Sequence, residues 1–162
     1  EMYVELQKAG SAAPTKLGKL DRMEQLMEGV NTGKLTPAIT QVASVAEALG
    51  FKVDPKLGPK QALEGLTNEI ALDLRNPSGG AGMPGAMSDM DREFLKNMSP
   101  QMAQTAEGRK LIIESRVKVM ERENQVAKMA RQYKQKHSKV DEDFFSQLSD
   151  WSNRNHLFPA QK

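Results

Sequence analysis

Three sets of residues in this chain have the types and spacing that chemistry uses. The first is Gly80-Ala81-Gly82-Met83-Pro84-Gly85, which fits the bare pattern G-x-G-x-x-G of a phosphate cradle at a helix N-terminus. Dinucleotide folds place a strand before that pattern, whereas here a helical segment precedes it. No P-loop lysine follows, and Asp89 and Asp91 stand where an anion would approach. The pattern therefore reads as a packed interhelical or partner-facing loop. The second set is the carboxylates, Asp89 with Asp91 and Asp141 with Glu142 and Asp143. General acid–base work needs a carboxyl group whose pKa is raised in an apolar cleft. These carboxylates sit at helix starts, where backbone N–H groups and the helix dipole favour the charged form. The third set is the basic run Lys128, Arg131, Lys134, Lys136 and Lys139. It complements the C-terminal end of a helix dipole, or it contacts a phosphate backbone without reading sequence.

The remaining candidates are weaker. His137 and His156 are far apart, there is no His-x3-His pair, and the chain has no cysteine. A metal site needs three or four convergent ligands, so none is expected. No serine lies in a nucleophile-elbow context, and neither histidine has an orienting partner in sequence. No catalytic residue, metal or cofactor is assigned, and the chain reads as non-enzymatic.

The elements that position these residues are helices. No segment alternates apolar and polar residues as a half-buried strand does. Leu17, Leu20, Met23, Leu26, Met27 and Val30 mark one helical face between Thr15 and Val30, with Asn31 to Gly33 as its stop. The first ten residues carry no readable pattern. Thr36 and Pro37 read as the start of a second helix, lined by Ile39, Val42, Val45, Ala46 and Leu49. A third begins at Pro59, with Leu63, Leu66, Ile70, Ala71 and Leu74 inward, and Asn76-Pro77 ends it. Ser88 to Asp91 resembles a capping box with Asp91 in place of the usual Glu or Gln. Phe94, Leu95 and Met98 form the buried face of that fourth helix. Thr105 caps the longest helix, over about 106–137, roughly 45 Å of chain. Asp141 caps the last, with Val140 and Phe145 as a hydrophobic staple and Phe144, Phe145, Leu148 and Trp151 on one aromatic face. The expected fold is all-α, helical hairpins or a bundle of about six helices. Its expected regions are 1–75, a built Gly/Pro/Met loop over 76–87, and 88–162.

Composition limits the function classes. Of 162 residues, 38% are apolar and 5% aromatic, so the core rests on aliphatic stripes and ten methionines. Some stripes are expected to complete their burial against a partner. No apolar run reaches the roughly 18 residues that a membrane span requires. The chain starts at Glu1, which reads as a portion of a longer protein. The net charge of +2 hides an asymmetry. Between Arg109 and Lys139 there are ten Lys/Arg against three Glu, while the remainder holds thirteen against eighteen Asp/Glu.

One likeness is specific. The string from Ile70 to Leu95, IALDLRNPSGGAGMPGAMSDMDREFL, resembles a segment of virion proteins encoded by tailed bacteriophages and prophages. TAEGRK at 105–110, VAKMARQY at 126–133, Trp151-Ser152 and Leu157-Phe158 continue the resemblance in order. It implies a structural, internal or ejected, or head–tail-associated protein of the virion. Its implied partners are other virion proteins, further copies of itself as a homo-oligomer, and packaged DNA held non-specifically. The expected partner contacts are Met83, Met87, Tyr133 and Trp151. The expected nucleic-acid contacts are Lys128, Arg131, Lys134, Lys136 and Lys139. The alternatives are a sequence-independent nucleic-acid-binding helical module and an accessory domain of a larger ejected phage enzyme.

Overall fold

The computed structural model describes residues 1–34, 38–54, 56–76 and 83–159. Among these, the secondary structure is helical and no strand occurs, so the expected all-α class holds. The α-helices are α1 (Met2–Thr32), α2 (Ile39–Ala48), α3 (Pro59–Arg75), α4 (Asp89–Lys96), α5 (Ala106–His137) and α6 (Glu142–Arg154). A 3-10 turn, Pro100–Gln104, precedes α5. No helix among the described residues is long and apolar enough to cross a membrane. The predicted cap Thr36, the helix start at Pro37, the stop at Pro77 and the glycines Gly80 and Gly82 lie outside the described residues.

The chain folds as two compact units that are not contiguous halves. One comprises Glu1–Pro14, Leu74–Asn97 and Lys118–Lys162, and the other Thr15–Asp73 and Met98–Val117. This replaces the expected division at 75 and 88. The reason is that α1 and α5 each contribute one part of their length to each unit.

In the first unit, Leu6, Met83, Ala86, Val126, Ala127, Ala130, Phe144 and Leu148 form the core. Here α1 runs 13 residues further towards the N-terminus than the periodicity from Thr15 indicates. The seam it makes with α5 uses small residues. A Cβ placed on Gly10 would come within 2.5 Å of the Ala127 Cβ, so glycine sets how closely the two helices approach. Gln7 Nε2 donates to the Ala127 carbonyl at 2.9 Å and Arg131 Nε donates to Gln7 Oε1 at 3.0 Å. Pro14 lies inside α1, where it removes one backbone donor and crowds the preceding turn. Leu6 and Ala13 before it, and Leu20 and Met23 after it, are buried.

The second unit buries Leu20, Met23, Leu26, Val42, Val45, Ala46, Leu63, Leu66, Ile70 and Ile112, as the stripes of α1, α2, α3 and α5 require. Its charged fastener is Arg109. That guanidinium is buried, donates to the Ala103 carbonyl at 3.0 Å and to Asn31 Oδ1 at 2.7 Å, and lies 3.9 Å from Glu64. One side chain thus ties the 3-10 turn, the end of α1 and α3 to the first turn of α5. Thr105 caps α5 as expected, its Oγ1 accepting the Gly108 N–H at 3.0 Å.

Candidate functional site

The densest polar geometry in the first unit surrounds the segment 155–158, which follows α6. Asp91, in the first turn of α4, is completely buried. Its carboxylate accepts the backbone N–H of Leu157 at 2.9 Å and that of Phe158 at 3.0 Å. This corrects the expected capping box. Ser88 does cap α4, accepting the Asp91 N–H at 3.2 Å, but the Asp91 side chain turns away to hold a segment 66 residues distant. Ser88 Oγ is also 2.7 Å from His156 Nδ1, so this histidine has a partner that its sequence context does not show.

Arg122 closes the other side. It is 2% exposed, and its Nη1 donates to the Ala86 carbonyl at 2.9 Å. Its Nη2 donates to the Asn155 carbonyl, and its Cζ stands 4.5 Å from the centre of the Trp151 ring. Burial pushes the Arg122 pKa down from its ordinary value, and the charge of Asp91 opposes that shift. The group nonetheless remains a cation, as arginine does throughout the working pH range. Phe158 stacks on Phe94 with ring centres 4.1 Å apart and planes at 19°, and Lys118 Nζ lies 5.5 Å from the Phe158 ring. The result is a groove that reads main-chain donors through Asp91, a main-chain acceptor through Arg122, and one ring through Phe94.

The loop that leads into α4 forms part of this structure. Met83 and Met87, expected at a partner-facing surface, are 8% and 3% exposed. That expectation is corrected: their thioethers fill the chain's own interior. Arg92 Nη2 donates to the Met83 carbonyl at 3.1 Å. Gly85, at φ +85°, brings the loop onto α6, where a Cβ would stand 3.0 Å from the Phe145 carbonyl oxygen. Of the G-x-G-x-x-G pattern, the described part, residues 83–85, is therefore held against a helix.

Tyr133 and Trp151, also expected at a partner surface, are half-buried. The Tyr133 hydroxyl donates to Asp141 Oδ1 at 2.7 Å, and its ring stacks on His137 at 4.2 Å. That hydrogen bond pushes the phenol up to about 12 and holds the Asp141 carboxyl below its ordinary value. Asp141 still caps α6, accepting the Phe144 N–H at 3.2 Å. Both aromatic side chains thus direct their polar ends or faces at groups of their own chain, leaving partial edges outward.

Lys128, Arg131, Lys134, Lys136 and Lys139 are exposed. Arg131 is bonded to Gln7, and Lys134 Nζ stands 4.1 Å over the Tyr3 ring. Other members of the positive stretch turn inward. Arg109 and Arg122 are buried, and Arg116 Nε is 3.8 Å from Asp73. The accessible positive charge is accordingly smaller than the linear count.

The second unit has a cleft of about 330 Å³ lined by Glu24, Met27, Glu28, Asn31, Glu107 and Lys110. Burial raises the Glu24 pKa, and Glu114 and Asp21 add to the rise while Lys110 opposes it. Among the described residues, no group of three or more His, Asp or Glu converges as a metal-ligand set.

The fold and the groove define an all-α protein with a peptide segment bound in its own chain. Comparison with family models, curated proteins and solved structures gives no match.

Proposed function

We propose that this chain is a non-enzymatic structural or assembly component of a tailed-phage virion, internal, ejected or head–tail-associated. It works through contacts with other virion proteins and with its own copies. The observation that carries the reading is the use made of buried charge. Asp91, Arg109 and Arg122 each fasten a chain segment by hydrogen bonds to backbone or amide groups. Charged groups used in this way fix shape. Met2, Val4 and Leu72 meanwhile stay 46%, 52% and 48% exposed, apolar surface that neighbours in an assembly would cover. The resemblance of residues 70–95 to virion proteins supports the same reading.

Sedimentation of the full chain from dilute to concentrated solution tests it. Concentration-dependent growth beyond the monomer is expected. A monomer at every concentration, also inert towards the other proteins of the particle, would contradict it.

The exposed basic run along and just after α5 favours a second role, contact with packaged DNA. That role predicts duplex affinity that falls steeply with salt and does not depend on sequence. Replacing Lys128, Lys136 and Lys139 with Glu should flatten the salt dependence, and absence of binding at low salt would remove the role.

A further inference from the structure

The cleft of the second unit carries charge that its own unit leaves unmatched. It lies between two helices, with Glu24, Met27 and Glu28 of α1 on one side and Glu107, Lys110 and Ile113 of α5 on the other. Met27 and Ile113, both buried, form its apolar floor. Among the described residues, Glu24, Glu28 and Glu107 form no ion pair, and Lys110 is 3.9 Å from Glu114. Glu28 also stands just before the last turn of α1, where the helix dipole disfavours negative charge, and that turn holds no basic residue. Glu24 registers the crowding: burial raises its pKa first, and Glu114 and Asp21 add to the rise against Lys110. We infer that this cleft is a docking site for a second copy of the chain, whose exposed basic stripe on α5, Lys128, Gln132 and Lys136, lies along it. The inference deepens the proposed assembly role and rests on it.

Three observations choose that occupant. The first is charge. Lys128 and Lys136 are exposed and form no ion pair among the described residues. Arg131 is bonded to Gln7, Lys134 stands over the Tyr3 ring, and Lys139 acts on Asp141. The cations of α5 that the chain leaves unmatched thus share one stripe. The second is spacing. Positions 128, 132 and 136 recur every four residues, which keeps them on one helical face. Lys128 and Lys136 are about 12 Å apart along the axis, and the wall from Glu24 to Asn31 runs for about 10 Å. A helix laid in an apolar-floored groove, with its polar anchors facing the rim, is a recurring mode of recognition. The third is placement on the helix. Glu107 lies in the first turn of α5 and Lys136 in its last, so the continuous helix presents the stripe of one copy to the cleft of another. Each copy offers one cleft and one stripe. Such a contact is heterologous, and it builds rings or open chains.

Charge exchange on the full chain tests the contact. Glu28, Glu107, Lys128 and Lys136 are all exposed, so their replacement leaves the interior intact, and circular dichroism with thermal unfolding checks each variant. One variant carries Glu28→Lys and Glu107→Lys, a second carries Lys128→Glu and Lys136→Glu, and a third carries all four changes. The third keeps the net charge of the natural chain, which separates a specific contact from general attraction. Sedimentation at low salt should show the natural chain growing beyond the dimer with concentration. Each two-site variant should associate about tenfold more weakly, because two attractive pairs become repulsive. The four-site variant should recover association, since the signs match again. Failure of that recovery would overturn the inference. Unchanged self-association of the Glu28→Lys, Glu107→Lys chain would overturn it and leave the assembly role standing, and loss of binding to another protein of the particle would then assign the cleft to that protein. Unchanged self-association of the Lys128→Glu, Lys136→Glu chain, with duplex binding lost, would assign the stripe to DNA and overturn it likewise. A natural chain that stays monomeric at every concentration and ignores the other particle proteins would overturn the assembly role, and the docking with it.

Discussion

Replacing Asp91 tests the groove most sharply, because its carboxylate is completely buried and holds two N–H groups at 2.9 and 3.0 Å. Hydrogen bonds to a charged acceptor contribute about 1.5–3 kcal/mol each, before allowance for water that replaces them. Asp91→Ala also removes a charge whose field favours the buried Arg122 cation. Water entering the loosened groove offsets part of this, so a loss of about 3 kcal/mol is expected. Asp91→Asn keeps one acceptor oxygen but aims an amide NH2 at a backbone donor, and should lose about 2 kcal/mol. Phe158→Ala, at a ring 4% exposed and stacked on Phe94, should cost about 3 kcal/mol. Both alanine changes release the same segment. The double variant should therefore lose less than the sum, with a coupling of about 1–2 kcal/mol. Urea unfolding of the full chain measures all four proteins. The only tryptophan, Trp151, lies 4.5 Å from the Arg122 guanidinium, so its fluorescence reports on the groove directly. Losses under about 0.5 kcal/mol for Asp91→Ala, of the size of ordinary surface changes, would refute the reasoning, as would strict additivity with Phe158→Ala.

Three further changes probe other parts of the structure. Gly10→Ala should destabilise by about 1–2 kcal/mol despite alanine's better helix propensity, because the new methyl meets Ala127 at 2.5 Å; Ala127→Gly added to it should recover part of the loss in thermal unfolding. Tyr133, pushed up to about 12 by its bond to Asp141, should show that phenol titration by ultraviolet absorbance in a Tyr3→Phe background, and Asp141→Asn should return it towards about 10. The stability from this raised phenol is complete below the unfolded value and declines as pH rises towards 12; that from the lowered Asp141 carboxyl is present above its unfolded value and fades as pH falls through the folded one. Glu24, whose pKa is raised by burial and by Glu114 and Asp21, works in the opposite sense: the fold favours its protonated form, and stability falls as pH rises through its folded value. Glu24→Gln should therefore stabilise at neutral pH by under about 1 kcal/mol and flatten that slope in pH-dependent unfolding.

The helices were legible where their signals are local. Ser88, Thr105 and Asp141 cap α4, α5 and α6 because a short polar side chain just before an apolar stripe finds the orphan N–H groups within three residues. The first half of α1 was not legible. Its buried contacts come from Gly10 and Ala13 beside one leucine, a face too small to register as hydrophobic, and Pro14 argues locally against a helix. Met83 and Met87 show a different limit. Sequence marks them as adaptable apolar residues in a built loop, but α6, which receives that loop, begins 55 residues after Met87. The groove is farther still from local signals. Asp91 at a helix start is fully explained by capping until Leu157 and Phe158 are brought to it. Two hints were present: an apolar Leu-Phe pair after a helix stop, and Arg122 one turn from Val119 and Val126 in α5. Only the tertiary fold joins them.

The proposed role makes this chain a building part of a tailed-phage particle. Quantitative mass spectrometry of gradient-purified particles encoding it measures that claim directly. The chain is expected in several copies per particle, retained through the gradient. Its absence from purified particles, with the chain left in the lysate, would contradict it.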